Sequence, residues 1–192
     1  MLPAAHRIAM RGIFFFVTAA LAWMHVPRAD AQTPGKPATA KPVDIQVRVS
    51  QDAVHRHSSI LAALMLSIRP GWHVNSAQPS DSSLIGTLVE PDRLPGVRIA
   101  EIRYPAGIEK KLTFAEEPLS VYEGTAIVVM KIEVGDSLRL GDHLLRAAVT
   151  YQACNDRMCL PPATVYADVP LRVVADADPV SFTNTELFKG LR

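Results

Sequence analysis

Residues 144–174 read LLRAAVTYQACNDRMCLPPATVYADVPLRVV, and this stretch decides the fold. Leu144 to Gln152 and Thr164 to Val174 both alternate apolar with polar residues at a period of two, the signature of a half-buried strand. Between them lies Cys154-Asn155-Asp156-Arg157-Met158-Cys159-Leu160-Pro161-Pro162. Asn155 and Asp156 supply turn chemistry, so Asn155 to Met158 reads as the four-residue tip of a hairpin, with the cysteines facing each other across it. Facing residues lie about 4.5–5.5 Å apart at Cα, within a disulfide's reach. Pro161 and Pro162 remove two backbone donors after Cys159, so the ladder is expected to stop and the loop to project with an accessible bond.

Working outward, the same period recurs in Val43 to Val49, Val97 to Tyr104 and Ala126 to Val134. Turn-forming groups separate these runs: Arg69-Pro70-Gly71, Leu94-Pro95-Gly96, Pro105-Ala106-Gly107, Val134-Gly135-Asp136 and Leu140-Gly141-Asp142. Ser58 to Ile68 is apolar almost throughout and fits a buried helix or a central strand; its length before Pro70 favours the strand. No long amphipathic helical stretch intervenes. The expected fold is all-β, an antiparallel sandwich.

The N-terminus reads as an address. Arg7 and Arg11 precede an apolar run from Ile13 to Trp23, and Ala29-Asp30-Ala31 offers small residues for cleavage after Ala31. A spanning anchor needs about 20 apolar residues, and His25, Pro27 and Arg28 interrupt this run. Residues 1–31 are therefore expected to be a signal peptide, giving a periplasmic or secreted protein. Residues 32–42 (QTPGKPATAKP) lack any apolar period and read as a disordered linker. The domain is expected to run over 43–175, with 176–192 as a C-terminal tail.

Removing 31 of the 192 residues leaves 161, enough for one domain with its own core. Arg7, Arg11, Arg28 and Asp30 go with the leader, leaving 17 basic against 18 acidic side chains. A mixed, nearly neutral surface lacks the basic face that a nucleic-acid partner requires.

The residues alone leave three readings of Cys154 and Cys159 open. An inert bridge is common in exported proteins. A bridge closing so short a loop constrains the unfolded chain little, which favours thiol–disulfide exchange over a staple. Cys154, Met158 and Cys159 could also act as soft metal ligands, although an oxidising compartment competes for the thiols and no cofactor is expected. His55 and His57 read as a solvent-facing pair, since nothing nearby supplies a third ligand. Trp72 and Tyr151 read as packing rings.

The string YQACNDRMCLPPAT resembles the redox loop of the N-terminal domain of the thiol:disulfide interchange protein DsbD. Two further stretches agree in order, Pro70-Gly71-Trp72-His73-Val74-Asn75 and Phe114-Ala115-Glu116-Glu117-Pro118-Leu119-Ser120-Val121-Tyr122-Glu123-Gly124. The resemblance covers about Val43 to Val174. It implies an immunoglobulin-like β-sandwich in the periplasm. Such a domain takes electrons from a thioredoxin-like domain or a membrane electron-transfer protein and passes them to periplasmic disulfide proteins, isomerases among them. Carried over by motif, Cys159 forms the mixed disulfide and Cys154 resolves it. Thr113 to Pro118 occupies the place of the family's cap loop, with Phe114 as the covering ring and Glu116 and Glu117 beside it. His73, Asn75 and Tyr122 would line the site. His73 and Asn75 stand where family members can present an aromatic pair. Full-length members also carry a membrane domain and a C-terminal thioredoxin domain, neither of which this sequence contains, so a borrowed reductant is expected. The competing reading is a non-enzymatic, secreted protein-binding sandwich whose hairpin disulfide is structural.

Overall fold

A computed structural model describes residues 41–81, 83–113 and 115–191. The expected signal peptide, the expected linker up to residue 40 and Phe114 lie outside the described residues. Twelve strands follow in chain order: β1 Val43–Val49, β2 Val54–His55, β3 Ser59–Ile68, β4 His73–Asn75, β5 Leu88–Pro91 and β6 Val97–Arg103, then β7 Ile108–Lys110, β8 Leu119–Tyr122, β9 Thr125–Val134, β10 Gly141–Tyr151, β11 Ala153–Cys154 and β12 Ala163–Val174. No α-helix occurs among the described residues.

The strands form three sheets, ordered β1-β3-β9-β6, β2-β12-β10-β5 and β11-β4-β8-β7. All pairings are antiparallel except β2 beside β12, where Val54 meets Val173 in parallel. The first two sheets make the sandwich. Their inward residues, Ile60, Leu64, Leu66, Met130 and Ile132 from one side and Leu145, Val149, Val169 and Leu171 from the other, form one buried cluster. Burying each such side chain contributes roughly 1.5–3 kcal/mol. The architecture is the antiparallel sandwich that alternation in the long strands leads one to expect, of the immunoglobulin-like kind that the resemblance implies.

β3 explains why Ser58 to Ile68 lacks alternation: both its faces are covered. Ile60, Ala62, Leu64 and Leu66 face the main core, whereas Leu61 and Ala63 join Val129 and Phe188 in a second cluster on the outer face. Phe188 is fully buried there. The segment carrying it is tied down where Thr183 Oγ1 and Asn184 Nδ2 both donate to the Val49 carbonyl, at 2.7 and 2.9 Å. Residues 181–191 thus pack on the sheet.

The third sheet positions the cysteines. β10 ends at Tyr151, and after Gln152 the chain re-enters pairing as β11 against β4, leaving the β12 ladder for a different sheet. In antiparallel pairs, residues in register point to the same side and successive residues to opposite sides. Ala153, Val74 and Tyr122 therefore share one face and belong to the main core. Cys154, His73, Asn75 and Val121 share the other.

Candidate functional site

The hairpin expected from the sequence is present. The Asn155 N–H donates to the Met158 carbonyl at 2.9 Å, and Asn155 Oδ1 accepts from the backbone N–H groups of Arg157 and Met158 at 2.9 and 3.0 Å. Asn at the first tip position thus caps both donors that the turn would leave orphaned. Cys154 and Cys159 are joined by a disulfide with Cα atoms 4.0 Å apart. One ladder bond survives beyond it, from the Leu160 N–H to the Ala153 carbonyl at 2.9 Å, before the two prolines end pairing.

Exposure of the bond differs from the expectation of an open tip. Cys154 is 1% exposed, while Cys159 is half-buried and Asp156, Arg157 and Met158 stand in solvent. The reason is the third sheet, which seats Cys154 against β4. The Gln152 side chain fixes the junction, accepting from Asn75 Nδ2 at 3.4 Å and donating to the Leu160 carbonyl at 3.3 Å.

His73 lies directly across from Cys154 in the β4–β11 register and is 1% exposed. Neither of its ring nitrogens has a hydrogen-bond partner. Burial lowers its pKa below the ordinary 6.5, the Lys110 ammonium adds to that effect, and Glu123 and Asp156 oppose it. The ring is therefore neutral at pH 7. Lys110 and Glu123 pair with each other at the edge of this sheet.

Asn75 follows two residues on, buried, with Nδ2 donating to the Ile85 carbonyl at 2.9 Å and its own carbonyl accepting from Thr87 Oγ1 at 2.7 Å. It is a structural anchor for the 76–87 loop as well as a neighbour of His73. Tyr122 is not brought to the cysteine face. Its ring is in the main core, and its hydroxyl accepts from the Ala77 N–H and donates to the Pro105 carbonyl, both at 3.1 Å. Burial raises its pKa. The residue that does share the face of Asn75 is its register partner Val121.

Thr113, at the start of the expected cap segment, reaches the tip. Thr113 Oγ1 donates to the Asp156 carbonyl at 2.8 Å, and Leu112 packs with Leu119 and Val121 in a small buried cluster. Glu116 and Glu117 are exposed on this segment and form no ion pair among the described residues, with the Glu116 carbonyl accepting from Lys111 Nζ. His55 and His57 do not converge. His55 Nε2 bonds the Asp178 carbonyl at 3.0 Å, and His57, at φ 57° in a turn, pairs with Asp136. No cluster of three or more metal-ligating side chains occurs among the described residues. Tyr151 is buried in the core and Trp72 packs against it.

Sequence reading missed two things here: the orphaned state of His73 and the membership of Val121. The first is a fact of burial, without a local signature. The second needed the register of a four-residue strand.

Chemically, the arrangement offers a disulfide with one cysteine held in the fold and the other nearer its surface, at a hairpin whose tip accepts a hydrogen bond from Thr113. Two solved structures resemble the chain. The N-terminal domain of DsbD from Neisseria meningitidis, in its reduced form, is 17% identical with a TM-score of 0.39, over 70% of this chain and 88% of that one. The N-terminal periplasmic domain of ScsB from Proteus mirabilis is 13% identical with a TM-score of 0.43, over 66% of this chain and 45% of that one. No curated protein matches the chain in sequence. The family model of the thiol:disulfide interchange protein DsbD, N-terminal, matches residues 40–171, which span the sandwich and the cysteine hairpin, and the chain belongs to that family.

Proposed function

We propose that the domain relays electrons in an exported compartment by thiol–disulfide exchange at Cys154 and Cys159. The unequal burial of the two cysteines carries this reading. A partner thiolate attacks Cys159, the less buried of the two cysteines, forming a mixed disulfide while the bonding pair leaves on Cys154. A second partner thiolate then attacks the partner's own sulfur and releases Cys159, so the partner ends oxidised and the domain holds two thiols. Handing on those electrons reverses the roles: Cys159 attacks an oxidised protein, and Cys154 resolves the mixed disulfide. A thioredoxin-like domain or membrane electron-transfer protein suits the donor role, and periplasmic disulfide proteins the acceptor role. Export through residues 1–31 belongs to the same reading.

Thr113 to Pro118, with Phe114, acts in this scheme as the cap that limits access to the bond. The Thr113 hydrogen bond to the tip supports that role, as does the Leu112 anchor beside it.

The test is a trapping experiment. With Cys154→Ser, Cys159 has no resolving partner, so a thioredoxin-like protein that keeps only its attacking cysteine, activated as a mixed disulfide with 5-thio-2-nitrobenzoate, should accumulate a mixed disulfide through Cys159 as the nitrothiolate leaves. With Cys159→Ser, the buried Cys154 should trap far less. Failure of Cys154→Ser to form any mixed disulfide would leave the competing reading, a binding module with a structural bridge.

A further inference from the structure

His73 contributes the only buried side-chain nitrogen or oxygen atoms without a hydrogen-bond partner among the described residues. Buried polar groups in native folds are almost always paired, so an orphan calls for a physical reason. The orphan here is in register with Cys154, on the same face of adjacent strands, where side chains are close neighbours. In the disulfide state Cys154 carries no charge and is a feeble acceptor. On cleavage it becomes a thiolate in a position 1% exposed to water, which by itself is a poor place for an anion.

We propose that His73 is the hydrogen-bond partner of the Cys154 sulfur in the reduced and mixed-disulfide states, and that its unpartnered state in the oxidised form sets the poise of the couple. The inference rests on the exchange reading above. Incoming thiolate bonds to Cys159, the Cys154–Cys159 bond breaks, and the electron pair goes to Cys154. The neutral ring then donates its single N–H to that sulfur, so the charge arriving on Cys154 finds a donor already in place. When Cys154 later attacks to resolve, the ring withdraws nothing but the hydrogen bond. The oxidised state bears an unsatisfied group that the reduced state satisfies, so His73 makes the disulfide easier to reduce. Neutrality of the ring is held by burial and Lys110 of β7; Glu123 after β8 and Asp156 of the tip pull the other way.

The test compares the full chain with His73→Phe, which fills the site without a donor, and His73→Gln, which restores one. Each is equilibrated with reduced and oxidised glutathione. His73→Phe should shift the equilibrium about tenfold toward the disulfide, which is close to 30 mV, and His73→Gln should recover at least half of that shift. A His73→Phe equilibrium within twofold of wild type overturns the proposal. Should His73→Phe fail to fold, the wild-type imidazole ¹⁵N shifts decide: a change at one ring nitrogen on reduction supports the pairing, and unchanged shifts overturn it. Glutathione and NMR need no protein partner. A failed trapping experiment therefore removes the carrier reading without touching these results, and an unchanged equilibrium removes His73 alone.

Discussion

The two sulfurs of one bond sit in unequal surroundings, Cys154 sealed against β4 and Cys159 at the rim of the hairpin. Reactivity follows thiolate fraction and access, so in the reduced chain Cys159 should be alkylated by iodoacetamide about tenfold faster or more than Cys154, read by peptide mass mapping over time. Equal rates would contradict the division of labour. His73 makes a second residue-scale prediction. Its pKa is lowered in the folded state, so the unfolded chain binds that proton more readily, and stability must fall as pH drops below 6.5 toward the folded value. Urea melts at pH 7.5 and 5.5 should show the loss, and His73→Phe should reduce the difference between them. Much of this scale was legible in the sequence: Asn155 and the spacing of the cysteines describe the turn, because turn chemistry is local. The burial of Cys154 was not legible. It depends on β4, whose three residues show no period, and on Val74 and Ala153 turning to the core so that His73 and Cys154 turn away from it.

Among the elements, the long strands were readable because alternation over seven or more residues survives in β1, β6, β10 and β12. β3 was ambiguous for a definite reason: the C-terminal segment buries its second face through Phe188. Phe188→Ala should therefore cost about 3 kcal/mol in chemical denaturation, a large loss for a residue so far from the main core. A loss under about 0.5 kcal/mol, the range of plain surface substitutions, would mean the segment does not hold the sheet in solution. The cap segment makes a different prediction. Thr113→Val removes its hydroxyl bond to the Asp156 carbonyl, so reduction of the disulfide by dithiothreitol should speed up about threefold, the gating expected of a surface hydrogen bond of ~0.7 kcal/mol, while the melting temperature falls by only about 2 °C. No change in rate would separate that bond from access. The third sheet itself escaped sequence reading, since strands of two to four residues are defined by their partners and not by their own pattern.

For the molecule as a whole, the sandwich is the base and the β11-β4-β8-β7 sheet a platform that turns one face to the core and carries Cys154 on the other. The main core includes neither cysteine, and the loop the disulfide closes is five residues in sequence separation, so its loop-closure contribution is at the small end for a bridge, about 2 kcal/mol. A contribution of that size lets the bond open and close in the proposed exchange without unfolding the sandwich. Its reduction potential, measured by equilibration with glutathione, tests that claim most directly. An exchange disulfide should have a value between about −180 and −270 mV, where thioredoxin-like exchange partners operate, and a value below about −300 mV, typical of structural bridges, would contradict the carrier role.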